Sequence, residues 1–211
     1  MPSFHPFLAL FALITGLLLT PFTPAQAADP SYRTLKAAQP SETTGKIEVL
    51  EFFAYTCPHC KTMEPLVSRW ARTLPEDVVL QRVPVAFNAG MEDLQKLYYT
   101  LENLDRLDLH EAFFKAIHNE HREIFTAPAI IDWAVEQGLD RQVFTDVFSS
   151  FGIQARVGRA NELARNYEID GTPSYAVGGR FVTSPAQAKG YDASLKVAGE
   201  LIAMARDRGQ P

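Results

Sequence analysis

The sequence predicts an α/β fold that is interrupted by an all-helical insertion. An apolar strand leads into a helix at the only two cysteines, helical periodicity then dominates the middle of the chain, and strand patterning returns near the carboxyl end. The 211 residues are 46% hydrophobic, which is enough for an ample core. The formal net charge of -5 and the absence of a basic run argue against nucleic-acid binding, because acidic surfaces repel phosphate.

The first strand is predicted at residues 49–55, an apolar and aromatic run typical of a buried strand. A helix is predicted from residue 58 to about residue 72. Pro65 lies inside it, and we expect a kink there because proline leaves a backbone carbonyl without its partner. The apolar side of this helix is formed by Met63, Leu66, Val67, Trp70 and Leu74.

A second strand is predicted at residues 78–85, where β-branched residues precede a proline near the exit. From about residue 91 to residue 167 the pattern is helical, with Gly138 and Asp140 as a stop and a start signal between two helices. Aromatic stripes at helical spacing are typical of a core, so we do not interpret them as a ligand pocket. The apolar positions include Leu94, Leu97, Tyr98, Leu101, Phe113, Phe114, Ile117, Ile130, Trp133, Phe144 and Phe148.

Strand patterning resumes at residues 172–177 and continues through a Gly178-Gly179 hairpin turn into residues 180–182. A final amphipathic helix is predicted to close the chain. Its apolar positions are Leu195, Val197, Leu201, Ile202 and Met204.

The amino terminus is predicted to be a signal peptide, residues 1–27, rather than part of the fold. Residues 7–19 form an apolar run too short to span a bilayer, and Ala25-Gln26-Ala27 offers a small-residue cleavage site. An uncleaved membrane anchor is the alternative, because no Lys or Arg precedes the apolar run. Under either interpretation the folded part lies outside the cytoplasm, and we expect it in the periplasm.

Cys57-Pro58-His59-Cys60 contains both cysteines of the chain, at the spacing that lets one sulfur attack the other. A redox-active pair is the leading interpretation. The motif lies where a strand feeds a helix, so Cys57 meets unpaired backbone N–H groups and the positive end of the helix dipole. Pro58 suits the first helical position. We therefore predict that Cys57 is an exposed nucleophile with a lowered pKa and that Cys60, one turn deeper, is the buried resolving thiol.

His59 would place a further positive charge beside the Cys57 sulfur when its imidazole is protonated. Two other interpretations of the cysteines are weaker. A structural disulfide between residues so close in sequence would constrain the unfolded chain very little. A metal site would need more ligands, and His118-x-x-His121 has neither the usual spacing nor a position near the motif. We interpret those two histidines and His110 as surface residues.

With these motifs the chain resembles the thioredoxin superfamily, and within it the DsbA family of thiol:disulfide oxidoreductases, whose cysteines flank Pro-His. Glu51 matches the buried acid of the family's Leu-Glu-Phe-Phe motif, Gly171-Thr172-Pro173 matches the cis-proline loop that faces the sulfurs, and Pro65 matches a proline found after the second cysteine. The resemblance implies a thioredoxin-like fold with an all-helical insertion domain, divided as residues 28–90, insertion 91–160, and residues 161–211.

The resemblance also implies the activity. A lowered pKa of the first cysteine is a known property of the DsbA family, and a stabilised thiolate makes the disulfide form a strong oxidant. We expect the chain to donate its Cys57–Cys60 disulfide to folding exported proteins that carry free thiols. The expected reoxidant is a membrane quinone-linked oxidase of the DsbB type. No cofactor or metal is expected, and the protein is expected to be a monomer. Thr172 and Pro173 would bind an extended substrate peptide like an added strand.

Glu51 is expected to be costly to bury unless it is protonated, paired or engaged in proton transfer. We hypothesise that Glu51 relays a proton to or from Cys60. The alternative is a structural salt bridge, because Arg82 matches the position of a basic residue that pairs with this acid in the family.

Two other functions compete with the dithiol oxidase. A periplasmic reductase or isomerase would use the same chemistry, but such proteins usually carry an additional dimerisation domain, and none is visible. A peptide-binding chaperone with an incidental CxxC motif would belong to a different class of protein. It would still support substrate folding after Cys57→Ser.

Overall fold

The computed structural model describes residues 1–3 and 30–209. The predicted signal peptide and its membrane-anchor alternative lie almost entirely outside these residues. In the part of the chain that is described, no helix is long and apolar enough to cross a membrane.

A five-stranded mixed sheet forms the centre of the molecule. The strands are β1 Arg33–Thr34, β2 Ile47–Phe53, β3 Val78–Pro84, β4 Ser174–Val177 and β5 Phe181–Thr183. Their order in the sheet is β1-β5-β4-β2-β3. β2 and β3 are parallel, whereas β4 is antiparallel to β2 and to β5, and β1 is antiparallel to β5.

Eight α-helices accompany the sheet within the described residues, and a short 3-10 turn, Ala89–Met91, precedes the second. The first helix follows β2, the next five lie between β3 and β4, and the last two follow β5. They are α1 Pro58–Ala71, α2 Glu92–Asn103, α3 Leu109–His118, α4 Ala127–Glu136, α5 Arg141–Phe148, α6 Phe151–Asn166, α7 Pro185–Ala188 and α8 Tyr191–Asp207.

The two faces of the sheet bury different partners, as the two-residue period of a strand requires. On one face Ile47 and Val49 pack in a cluster with Met63 and Val67 of α1 and with residues of α8. On the other face Leu50 and Phe52 pack in the larger cluster that contains the apolar residues of α2–α6. All seven residues of β2 are buried, so this strand contributes to the apolar clusters on both faces of the sheet.

The predicted α/β fold with an all-helical insertion is confirmed. α2–α6 occupy residues 92–166, between β3 and β4, so the boundary that we predicted at residue 160 falls inside α6. Asp140 caps α5 by accepting a hydrogen bond from the Val143 N–H at 2.9 Å, and Gly138 adopts a φ of +84° after α4, as their sequence signals indicated.

The Gly178-Gly179 turn joins β4 to β5, and both glycines have positive φ values, +55° and +67°. Two positive values are what a type I′ hairpin turn requires. A Cβ atom at Gly179 would lie 2.2 Å from the carbonyl oxygen of Gln39, so no larger residue fits there without moving the backbone.

The topology brings the strand ends to one edge of the sheet. Because β2 and β3 are parallel, both end at the edge where α1 begins, and because β4 is antiparallel to β2, it starts there. Phe52 pairs with Ser174, the first residue of β4. The cysteine motif and the Thr172-Pro173 loop, which are more than a hundred residues apart in the chain, therefore meet.

Candidate active site

The redox motif lies at the junction of β2 and α1. Cys57 is the N-cap of α1, with an extended backbone (φ -88°, ψ 115°), and Pro58 is the first helical residue. The Cys57 N–H donates a hydrogen bond to the carbonyl oxygen of Ala54 at 3.0 Å, which closes a tight turn between the strand and the helix. The Cys60 N–H lies 3.4 Å from the Cys57 sulfur and donates to it. The backbone thus aims the first turn of the helix at this sulfur.

The Cys57 thiol has its pKa lowered from 9.0 to about 5. The largest cause is hydrogen bonding from the Cys60 side chain, which outweighs the opposing effect of partial burial; the Thr172 contact and the backbone N–H groups of Cys60 and His59 add to it. The sequence predicted the direction of this shift. From the sequence we attributed the lowered pKa to the helix N-terminus and to a charge on His59. The contribution of the Cys60 side chain could not be inferred from the sequence.

Cys60 is buried, with 2% of its surface exposed, whereas Cys57 is half-buried. Burial raises the pKa of the Cys60 thiol, and the neighbouring Cys57 raises it further. Both cysteines are free thiols, so the structure shows the reduced state. One sulfur is partly exposed and easily ionised and the other is buried and protonated. This asymmetry is the one that an attacking thiol and a resolving thiol require.

His59 and Pro58 are exposed. The imidazole Nδ1 of His59 lies 2.7 Å from the hydroxyl of Tyr191, the first residue of α8. Sequence reasoning did not identify Tyr191. No motif marks it, and only the fold brings α8 to the dipeptide between the cysteines.

The Thr172–Pro173 peptide bond is cis, as we expected from the family resemblance. The carbonyl oxygen of Thr172 lies 3.2 Å from the Cys57 sulfur, so the backbone of this loop faces the nucleophile. Pro173 is buried and Thr172 is half-buried. An extended peptide that approaches Cys57 would meet the backbone of this loop.

A groove of about 400 Å³ runs beside the motif. One wall is His59 and Tyr191, a second is Asp170–Ser174, and a third is Ser184–Ala186 before and within α7. Most of its lining is apolar or backbone, a composition that suits peptides of varied sequence.

Glu51 is buried in β2 opposite Arg82 of β3, and its carboxylate accepts a hydrogen bond from Arg82 Nε at 3.0 Å. The salt bridge that we considered as the alternative is therefore present. Even so, burial raises the pKa of Glu51 from 4.5 to about 7, because the attraction of Arg82 only partly offsets desolvation. A carboxyl group that titrates near neutral pH is suited to proton transfer.

Glu64, one turn after Cys60 in α1, is a buried acid that sequence reasoning missed. Its Oε1 accepts hydrogen bonds from Arg82 Nη2 at 2.9 Å and from the Ser68 hydroxyl at 2.6 Å. Burial alone would raise its pKa, but contacts with His110, Arg82 and Ser68 outweigh burial and lower it. The signal was available, since Glu64 lies between Met63 and Val67 on the buried side of the helix.

The interpretation of His110 as a surface residue is wrong. His110 is buried, with 3% of its surface exposed, and its ring lies between Tyr55 and Glu64. The helical spacing could have shown this, because His110 shares its helix face with Phe113, Phe114 and Ile117, which are all buried.

The two histidines at 118 and 121 differ from each other. His121 is exposed, as predicted, whereas His118 is half-buried and its Nε2 lies 2.8 Å from the carbonyl oxygen of Tyr55. Among residues 1–3 and 30–209, no group of three or more His, Cys, Asp or Glu side chains is arranged to hold a metal ion.

Comparison with known proteins agrees with this geometry. Residues 48–193 match the family model described as a DSBA-like thioredoxin domain. The thiol:disulfide interchange protein DsbA of Bordetella parapertussis is 52% identical over 205 residues, which cover 97% of this chain and 98% of the relative.

Two solved structures are also similar. The crystal structure of Pseudomonas aeruginosa DsbA superimposes with a TM-score of 0.82 at 33% identity, over 86% of this chain and 95% of that one. The oxidoreductase NmDsbA1 from N. meningitidis superimposes with a TM-score of 0.77 at 28% identity, over 86% and 95%.

Proposed function

This chain is a thiol:disulfide oxidoreductase of the DsbA-like thioredoxin-domain family, and from that premise we propose that it acts as a dithiol oxidase on exported proteins. The observation that supports this direction of reaction is the Cys57 thiol, whose pKa is lowered to about 5. A stabilised thiolate favours the reduced protein, so the disulfide form is a strong oxidant of other thiols.

The reaction proceeds in two exchanges. A substrate thiolate attacks the Cys57 sulfur of the disulfide, a mixed disulfide forms, and Cys60 leaves with the electron pair and takes up a proton. A second substrate thiolate then attacks the substrate sulfur of the mixed disulfide, and Cys57 departs as thiolate. The substrate dithiol becomes a disulfide and the enzyme disulfide becomes a dithiol, so electrons balance.

Each residue of the site supports one of these steps. The low pKa of Cys57 makes it a good leaving group in the second exchange, while burial of Cys60 favours the protonated thiol that the first exchange produces. Thr172 and Pro173 offer backbone to an extended substrate beside the sulfur, and the adjoining groove accepts its side chains. Glu51 is proposed to exchange the Cys60 proton, directly or through water.

The cellular setting is proposed on the same premise. We expect the mature protein in the periplasm, reached through the signal peptide at residues 1–27. The proposed reoxidant is a membrane quinone-linked oxidase of the DsbB type, which would accept the two electrons that each cycle leaves on Cys57 and Cys60. The redox-active pair serves without a further cofactor, and a monomer suffices because both cysteines and the Thr172-Pro173 loop come from one chain.

The test is the equilibrium of the Cys57–Cys60 pair with glutathione, followed by tryptic mapping of the free and bridged forms. We expect a reduction potential that is far more oxidising than that of thioredoxin, which is about -270 mV. The oxidised protein should also convert a reduced dithiol peptide to its disulfide, and the Cys57→Ser protein should not. A potential as low as that of thioredoxin would identify a reductase instead.

A further inference from the structure

Tyr55 lies two positions before Cys57, and helix α3 of the insertion contacts it twice. One contact is to its side-chain hydroxyl and the other is to its backbone carbonyl oxygen. The Tyr55 hydroxyl lies 2.7 Å from Nδ1 of His110, and its backbone carbonyl oxygen lies 2.8 Å from Nε2 of His118. The two histidines are eight residues apart in sequence, a little more than two helical turns, so they project from the same side of α3.

The chemistry of the partners assigns the hydrogen atoms in these contacts. His110 Nε2 lies 3.2 Å from Glu64 Oε2, and an ionised carboxylate can only accept, so Nε2 carries the hydrogen. Burial lowers the pKa of His110 and keeps the ring neutral, so Nδ1 accepts from the Tyr55 hydroxyl. A carbonyl oxygen can only accept, so His118 donates through Nε2. Every contact pairs a donor with an acceptor.

The Tyr55 ring is also held by packing. Its centroid lies 4.7 Å from that of Phe113 and 4.9 Å from that of Phe114, both on α3, and only 1% of Tyr55 is exposed. Polar contacts at the two ends and aromatic contacts along the ring leave this side chain one position.

We propose that His110 and His118 are positioning residues for the exchange reaction, acting through Tyr55 on the turn that presents Cys57. Tyr55 lies inside the turn that the Cys57 N–H closes on the carbonyl oxygen of Ala54. That turn holds Cys57 as the N-cap of α1, where its sulfur receives the hydrogen bonds that stabilise a thiolate. A disulfide sulfur carries no such charge, so loss of the turn geometry costs the reduced form more than the oxidised form.

This inference rests on the proposed function. Its test compares the Cys57 pKa and the equilibrium constant with glutathione between variants. We compare His118→Ala with the unmodified protein by absorbance titration of the Cys57 thiolate and by the equilibrium constant with glutathione. Loss of one hydrogen bond in this setting should make the pair less oxidising by about threefold to fivefold and raise the pKa of Cys57.

A pair of amide variants separates positioning from general destabilisation. Gln at position 118 can place an N–H donor near the position of Nε2, whereas the Asn side chain is one carbon shorter. We expect His118→Gln to restore the equilibrium constant and His118→Asn to resemble His118→Ala. Because both amides are polar and of similar size, this comparison remains informative if the alanine variant does not fold. His121→Asn, at an exposed residue with a φ of +55° that Asn tolerates, is the matched control and should change nothing.

Equal equilibrium constants for the Gln and Asn variants would overturn the proposal. It would also be overturned if His118→Ala lowered the urea midpoint and left both the thiolate pKa and the equilibrium constant unchanged, since the histidine would then be structural only. A thioredoxin-like potential in the unmodified protein would overturn the oxidase assignment instead, and the differences between variants would still decide the positioning role.

Discussion

The hydroxyl of Tyr191 lies 2.7 Å from Nδ1 of His59 and joins the dipeptide between the cysteines to the first turn of α8. Both side chains line the groove beside the Thr172-Pro173 loop. The contact therefore connects the redox motif with the surface that a substrate would occupy, and it fixes a ring that is otherwise exposed to solvent.

Tyr191→Phe should lower kcat/KM for oxidation of a dithiol peptide by about twofold to fivefold, because the released His59 ring samples several rotamers and must be ordered when substrate binds. The free energy of unfolding should change little, since the pair is at the surface. Stopped-flow fluorescence of the peptide reaction measures the effect. Tyr32→Phe, which removes a hydroxyl from a ring packed on Phe181, is the control; an equal loss of rate there would contradict the assignment.

Glu51→Gln should slow the first exchange, in which Cys60 leaves and takes up a proton, and should abolish an inflection of its rate near pH 7. The pKa of Glu51 is raised to about 7 by burial, so the wild-type carboxyl changes its protonation state in this range, and an amide does not. Rapid-quench kinetics of mixed-disulfide formation between the oxidised protein and a peptide with one thiol, from about pH 6 to about pH 8, provide the measurement.

The matched control for Glu51 is Glu48→Gln. Glu48 is another buried acid of β2, but its side chain contacts Thr43 and the Glu42 N–H rather than Arg82. If both amides left the rate profile of the unmodified protein intact, Glu51 would have only the structural role of pairing with Arg82.

The reduced protein should be more stable than the oxidised protein, and the difference should depend on pH. The folded-state pKa of Cys57, about 5, is depressed below the ordinary value of 9.0. The stabilisation is therefore complete above the unfolded-state pKa and is lost as the pH falls through about 5. We expect urea denaturation to show a difference in the free energy of unfolding between the two forms at about pH 8 that disappears at about pH 4. If this difference in the free energy of unfolding were the same at both pH values, the Cys57 thiolate would not be its cause.

Phe113→Ala should destabilise the protein by about 3–5 kcal/mol, because it leaves a cavity between two rings of the core. Phe113 is fully buried, and its centroid lies 4.7 Å from that of Tyr55 and 4.8 Å from that of Trp133. Phe151→Ala is the control, because 87% of Phe151 is exposed and its loss should change the free energy of unfolding by less than about 0.5 kcal/mol. Urea denaturation compares the two, and similar losses would contradict the assigned packing.

Much of the fold could be predicted because its signals are local. The apolar run of β2, the Cys57-Pro58-His59-Cys60 start of α1 and the Gly178-Gly179 turn each carry their structure within a few residues. The partner of Glu51 could not be predicted from the alternation of β2, which only places Glu51 on the same face as Val49. The register with β3 shows that Arg82 lies opposite Glu51.

The parts of the site that could not be predicted depend on contacts between distant segments. Tyr191 meets His59 across 132 residues and His118 meets Tyr55 across 63, and neither pair follows from spacing. His110 is different, because its position among Phe113, Phe114 and Ile117 indicated burial. A histidine is more often found near the surface than these neighbours are, and that general tendency misled the interpretation.

The chain leaves the sheet after β3 and re-enters it at β4 on the same side, next to the cysteines. Residues could therefore be added to or deleted from the loops among α2–α6 without shifting the pairing of any strand. Evolution and protein engineers can thus remodel the surroundings of the nucleophile and leave the scaffold untouched. The helical segment can therefore change in length at these loops while the sheet and the groove beside the Thr172-Pro173 loop keep their geometry.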